Sequence, residues 1–144
     1  MYKNIIFFFL FLTLTGCGQR TTSVTGTVTL DGTGLKDIVV LLQPASDAAL
    51  TPEAAFGRTD EQGRFTLSLI NSKKRGVVPG EYVVFINWND PNPAPENEPA
   101  NPCPYKIPSS AKDGSRRCTI ENQKSQQIDF ELSDFPNKIV PRKI

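Results

Sequence analysis

The sequence predicts an all-β fold, a single antiparallel Greek-key β-sandwich of about seven strands. Apolar and polar residues alternate with a period of two along several short segments, as strands with one buried face require. Gly and Pro turn chemistry recurs between those segments. Beyond the first two dozen residues, no stretch carries the apolar spacing of a helix.

In Ser23–Leu30, SVTGTVTL, Val24, Gly26, Val28 and Leu30 share one face and Thr25, Thr27 and Thr29 the other. Asp31-Gly32 follows, a pair that tolerates positive φ and closes a hairpin. Ile38–Leu42, IVVLL, is an uninterrupted β-branched and aliphatic run, which predicts a strand buried on both faces. Residues 44–53 form a loop with Pro44 and Pro52. Thr59-Asp60-Glu61-Gln62-Gly63 has Asp early and Gly late, the order of a tight turn, and Phe65, Leu67 and Leu69 alternate after it. Lys73-Lys74-Arg75 reads as a solvated connection. GEYVVFINW then places Tyr82, Val84, Ile86 and Trp88 on one face and Val83 and Phe85 on the other, predicting a central strand. The Pro-rich segment 89–104 cannot donate regularly to a sheet and is predicted to be an extended loop. A short strand near 117–121 and a last one over QQIDFEL, with Ile128, Phe130 and Leu132 inward, complete the pattern.

The N-terminus is of another kind. Lys3 precedes the apolar block Ile5–Leu14, which falls short of the ~20 residues a membrane-spanning helix needs. It reads as a secretory signal peptide over residues 1–16. Leu14-Thr15-Gly16-Cys17 resembles the bacterial lipobox: an apolar residue, two small ones and a cysteine. That resemblance implies diacylglycerol attached to the Cys17 sulfur and cleavage between Gly16 and Cys17. Residues 17–23 then form a lipidated tether, 24–135 the sandwich and 136–144 a flexible tail. Gly18 after the cysteine resembles the default sorting to the outer membrane in cells with two membranes. With Cys17 assigned to lipid, Cys103 and Cys118 remain in a chain expected in an oxidising compartment, so a disulfide between them is the economical expectation. It would contribute about 3 kcal/mol in the chain-entropy model. A metal site or a catalytic thiol competes with it, and both lack a His.

The chain resembles the small bacterial lipoproteins built on a carboxypeptidase regulatory-like domain, a transthyretin-like (prealbumin) sandwich. The matching residues are Val24–Val28 with Leu30-Asp31-Gly32, then Val39 through Pro44, Thr59 through Phe65 and Pro79-Gly80-Glu81-Tyr82, followed by Ile107-Pro108 and Asp129-Phe130-Glu131-Leu132. Gly34 and Asp37 depart from the pattern, standing where the group tends to have Pro and Gly. The resemblance implies an accessory module rather than peptidase chemistry.

Composition narrows the function classes. At 38% hydrophobic and 22% charged, the 144 residues can build one core. Of 16 Lys and Arg, Lys3 lies in the expected signal peptide, leaving the remainder balanced against 15 Asp and Glu. A balanced surface argues against nucleic acid as a partner. The chain has no His, which removes the commonest general base and metal ligand. Asp60 and Glu61 beside Gly63 lack the ligand pattern of a calcium loop and read as turn residues. Asp60 with Asp129 is a paper pairing for glycoside hydrolysis. Trp88, with Tyr82 and Tyr105, is a candidate stacking platform for a sugar, against the alternative of core or sheet-edge packing. Lys138, Arg142 and Lys143 of the tail could touch anionic lipid or polymer, against the alternative of a solvated end. The expectation is a non-catalytic, lipid-anchored cell-envelope module with a structural, adhesion or scaffold role, and no metal or cofactor. Its partners would be the membrane, through the lipid on Cys17, and other envelope proteins or cell-surface glycans. The alternative is an envelope glycan- or peptide-binding protein, with or without weak hydrolase activity, using Trp88 and the Pro-rich loop.

Overall fold

A computed structural model describes residues 20–45 and 52–133. The expected signal peptide, Cys17 with the expected cleavage site before it, and the tail 136–144 lie outside the described residues. The described chain is all-β: ten short strands form two sheets, and the one helical element among these residues is a 3-10 turn, Ser109–Ala111.

The first sheet is organised around β1 (Ser23–Leu30). Along one edge β1 pairs antiparallel with β2 (Thr33–Gly34) and β5 (Arg64–Thr66). Along the other it pairs parallel with β9 (Ser125–Gln127) and β10 (Phe130–Leu132). The second sheet has the order β6-β4-β3-β7-β8: β6 (Ser68–Leu69), β4 (Ala55–Arg58), β3 (Ile38–Pro44), β7 (Gly80–Trp88) and β8 (Arg116–Ile120). Every pairing in this sheet is antiparallel. Val24, Val28, Phe65, Phe130 and Leu132 of the first sheet and Val40, Leu42, Tyr82, Val84 and Ile86 of the second share one buried core. That is in keeping with the expected sandwich. Each such aliphatic side chain withdrawn from water contributes roughly 1.5–3 kcal/mol.

The alternation read from the sequence is present in β1 and β7, whose inward residues are buried except for the half-buried Leu30 and Trp88 at their ends, and whose partners are not buried. The strand count differs. About seven were expected, but two predicted strands each split. Arg64–Leu69 changes sheets at Leu67: β5 pairs with β1 and β6 with β4, while the Leu67 amide donates to the Val24 carbonyl (2.9 Å). The closing segment breaks at Ile128-Asp129, where the Ile128 amide donates to the Thr25 carbonyl (2.9 Å). The Asp129 carboxylate there accepts from both the amide and the hydroxyl of Thr27 (2.9 Å each). β3 also departs from expectation. Val39 and Leu41 are half-buried rather than enclosed, so only one face of that strand lies in the core.

Three further contacts fix the frame. Thr59 is buried, donates to the Leu35 carbonyl (2.6 Å) and accepts from the Ile38 amide (2.9 Å), so its hydroxyl is satisfied on both sides. The Asp60–Gly63 turn closes as predicted, with Gly63 at φ 79 and its carbonyl accepting from the Val28 amide (2.8 Å). Tyr82 is fully buried, and its hydroxyl donates to the Val78 carbonyl (2.7 Å). Burial, with a smaller contribution from Cys118, pushes its phenol up to about 12. β8 is an edge strand whose first residue, Arg116, is turned partly inward, an arrangement that discourages pairing with another sheet.

Gly26 is where the split edge meets β1. A Cβ on it would overlap the Ile128 carbonyl and come within 2.8 Å of the Phe65 ring. Gly26→Ala is expected to cost about 3 kcal/mol or more, by forcing β9–β10 off β1. Urea unfolding checks it, and a midpoint within error of wild type would contradict this packing.

Candidate functional site

β7 and β3 run antiparallel with Ile38 opposite Trp88, so the last residue of β7 stands at the end of the sandwich that also carries the Asp31-Gly32 and Asp60–Gly63 turns. The chain leaves this end as the Pro-rich segment. Its root is pinned: the Asn89 amide donates to the Asp37 carbonyl (3.0 Å) and Arg58 donates to the Asn89 carbonyl (3.0 Å). Arg58 also lies 3.7 Å from the Asp37 carboxylate. Further out, the Asp90 carboxylate accepts from the Asn92 amide and the Asn101 side chain, 2.8 Å each. These contacts give a proline-rich excursion a defined shape without a sheet ladder.

Trp88 is half-buried, packed on the core by one side and open on the other. A groove of about 420 Å³ lies over it, walled by Pro93, Pro95, Glu96 and Glu98 with Asp90 at its base. The carboxylates of Glu96 and Glu98 are exposed and have no hydrogen-bond or ion-pair partner among the described residues. An indole face between prolines offers stacking and apolar contact, and the rim offers acceptors. The expected three-aromatic platform is not assembled. Tyr82 is enclosed near the far end of β7, Tyr105 packs against the core, and neither lines the groove.

The paired-carboxylate idea fares poorly. Asp60 accepts from the amides of Gln62 and Arg64 and from the Arg64 side chain, all at 2.9 Å. The Arg64 amide foremost holds its carboxyl below the ordinary range, the wrong direction for a general acid. Asp129 is occupied by Thr27 and by Gln127 Nε2 (3.0 Å). Both brace the backbone. A second groove of about 580 Å³ runs beside Asp60 over Thr25, Thr27, Arg58 and Arg64, where Arg58 and Arg64 are each matched with an acid. No three His, Cys, Asp or Glu side chains converge among the described residues.

The expected disulfide requires correction, because Cys103 and Cys118 are both free thiols in this structure. Cys118 lies within β8 opposite Tyr82, packed against the core, and burial pushes its thiol up to about 11. Cys103 is exposed on the loop, its Sγ donating to the Tyr105 carbonyl (3.2 Å). Cys118 is thus held on a strand beside its cross-strand partner, and Cys103 is turned to the backbone of its own loop.

Sequence reasoning passed over Thr22, which is 1% exposed. Its amide and carbonyl pair with Val77 (2.8 Å each way), and its hydroxyl donates to the Glu121 carbonyl (2.6 Å). It ties the entry of β1 to two distant loops. The one signal in the sequence is a hydroxyl residue directly before an alternating strand, and that is too common to single out.

No family model, curated protein or solved structure matches the chain.

With native protein, a water-soluble maleimide is expected to modify Cys103 rapidly and Cys118 much more slowly, since a half-buried thiol of raised pKa yields little thiolate. Peptide mass spectrometry reads this out. A Cys103–Cys118 linked peptide, or equal labelling rates, would contradict the placement of the two thiols.

Proposed function

We propose that this chain is a lipid-anchored, non-catalytic module of the cell envelope with a structural, adhesion or scaffold role. The observation that carries the reading is Leu14-Thr15-Gly16-Cys17 directly after the apolar block Ile5–Leu14, with the folded body beginning only a few residues later at Thr22. Acyl chains contribute about 0.8 kcal/mol per buried methylene, and a diacylglycerol thioether supplies two. A short polar tether, 18–23, would hold the sandwich close to the leaflet that carries them, on the outer membrane where the cell has two. The finer fold, a Greek-key sandwich of the transthyretin-like, carboxypeptidase regulatory-like kind, belongs to the same proposal. It is supported by the two mostly antiparallel sheets and by the order of the turn motifs. Metabolic fatty-acid labelling tests the anchor: the wild type takes up label and Cys17→Ala does not. Label retained by the variant would refute it.

A second reading has its own support in Trp88. An indole open on one side beside a groove walled by prolines suits an envelope glycan or an extended peptide better than core packing alone would require. On this reading acrylamide quenches Trp88, the sole tryptophan, and fragments of the native envelope reduce that quenching. Trp88→Ala abolishes retention on the same material while keeping the folded circular dichroism spectrum. An unquenched tryptophan would end this reading and leave the anchor untouched.

A further inference from the structure

We infer that the loop carrying Lys73, Lys74 and Arg75 is a docking surface for anionic phospholipid headgroups, which seats the basic end of the sandwich on the membrane that holds the lipid of Cys17. The inference rests on the anchored reading above and adds an orientation and a lipid preference to it.

The juxtaposition comes from β-pairing. Thr22 exchanges two backbone hydrogen bonds with Val77, and the Thr21 hydroxyl donates to the Arg75 carbonyl (3.2 Å). The three consecutive basic residues therefore lie against the stretch of chain that leads back to Cys17. The turn before β9 joins them from the other side, the Lys124 carbonyl accepting from the Ser23 amide (3.2 Å). Arg20 stands in the tether itself. Lys73, Lys74, Arg75, Lys124 and Arg20 are all exposed. Against them, among the described residues, this end sets three acids, Glu53, Glu81 and Glu121, and Glu53 is spent on the loop's own shape. Its carboxylate accepts from the amides of Asn71 and Ser72, which, with the Ser72 amide foremost, lower its pKa. Ile70, one of the large apolar side chains left exposed (37%), is on the same loop. An apolar side chain among cations is the composition of a surface that lies at the headgroup boundary.

The opposite end is electrically unlike this one. Among the described residues acids outnumber cations there: Lys36 lies beside Glu61 at 3.4 Å, Arg58 beside Asp37 at 3.7 Å and Arg64 beside Asp60 at 2.9 Å, and Asp31 and Asp90 come in addition. Glu96 and Glu98 add negative charge beyond Trp88. The described residues are thus polarised along the strands, basic at the end that leads to Cys17 and acidic at the other. An anionic leaflet would attract one end and repel the other.

Geometry permits contact. The five residues from Cys17 to Thr22 extend to at most about 17 Å, and screening falls off over about 8–10 Å at physiological salt. A sandwich tethered by its β1 foot lets the basic loop come within that range, whereas the acidic end stands a strand length away. Each basic residue near such a surface contributes on the order of a fivefold preference.

The test uses the full-length protein purified from membranes in detergent and reconstituted in vesicles. One set is phosphatidylcholine alone, and the other is equal parts phosphatidylcholine and phosphatidylglycerol. A membrane-impermeant acylating reagent and mass spectrometry report the reactivity of each lysine. Lys73, Lys74 and Lys124 are expected to fall at least about fivefold on the anionic vesicles, to recover in high salt, and to stay reactive on the neutral ones. Lys36, at the other end, serves as the internal reference and stays constant. The variant Lys73→Gln/Lys74→Gln/Arg75→Gln, folded by circular dichroism, loses the protection of Lys124. Equal reactivity on both vesicles, or protection of Lys36 as strong as that of Lys73, overturns the inference. The mass of the Cys17 peptide separates the premises: acylated Cys17 with unprotected lysines defeats the docking surface alone, and unmodified Cys17 defeats both.

Discussion

One strand carries the construction. β1 is hydrogen-bonded along both edges, antiparallel to β2 and β5 and parallel to β9 and β10, so segments from the beginning, middle and end of the described chain meet on it. Parallel pairing at the chain's end is the demanding part, because a long excursion must be ordered before its bonds form. The two bonding edges also need space where the C-terminal edge bends. Gly26 provides it by having no Cβ opposite the Ile128 carbonyl, and Asp129 satisfies the Thr27 amide that the bend would otherwise orphan. Remove this meeting point and the core loses Phe130 and Leu132 together with the strand they sit on.

The same pairing sets what the two ends of the molecule can do. β1 enters at Thr22 and leaves at Asp31, so the tethered foot and the Trp88 groove lie at opposite ends of the strands. Under the proposed anchoring at Cys17, this layout would turn the groove away from the membrane and the basic loop toward it. Neither arrangement needs a hinge or a mobile lid; both follow from which end of β1 continues to Cys17. The exposed carboxylates beside Trp88 and the cations beside Thr21 are then two consequences of one topology.

How much of this was legible beforehand divides by range. Alternation in β1 and β7, and the Asp60–Gly63 turn, depend on neighbours a few residues apart, so the residues themselves disclose them. The break at Ile128-Asp129 depends on Thr27 and Gly26, a hundred residues away, and QQIDFEL looks like a plain strand without them. The change of sheet at Leu67 is hidden for the same reason. Val39 and Leu41 have the composition of enclosed residues, yet what covers an outer face is decided by distant segments. Cysteine parity suggested a bridge but carries no geometry: Cys118 faces Tyr82, and Cys103 faces its own loop. Trp88 was visible as a candidate, though only the folded Pro-rich segment gives it a groove.

Native-state hydrogen exchange bears most directly on the central claim, that β9 and β10, the last described strands, are locked to β1. The Ile128 amide, bonded to Thr25, and the Val28 amide, bonded to Gly63, lie on opposite edges of β1. Both are expected to exchange only through global unfolding, with the same free energy as each other and as urea denaturation gives. Exchange of Ile128 through a separate, lower-energy opening while Val28 stays protected would contradict it, making β9 and β10 an accessory edge rather than part of the frame.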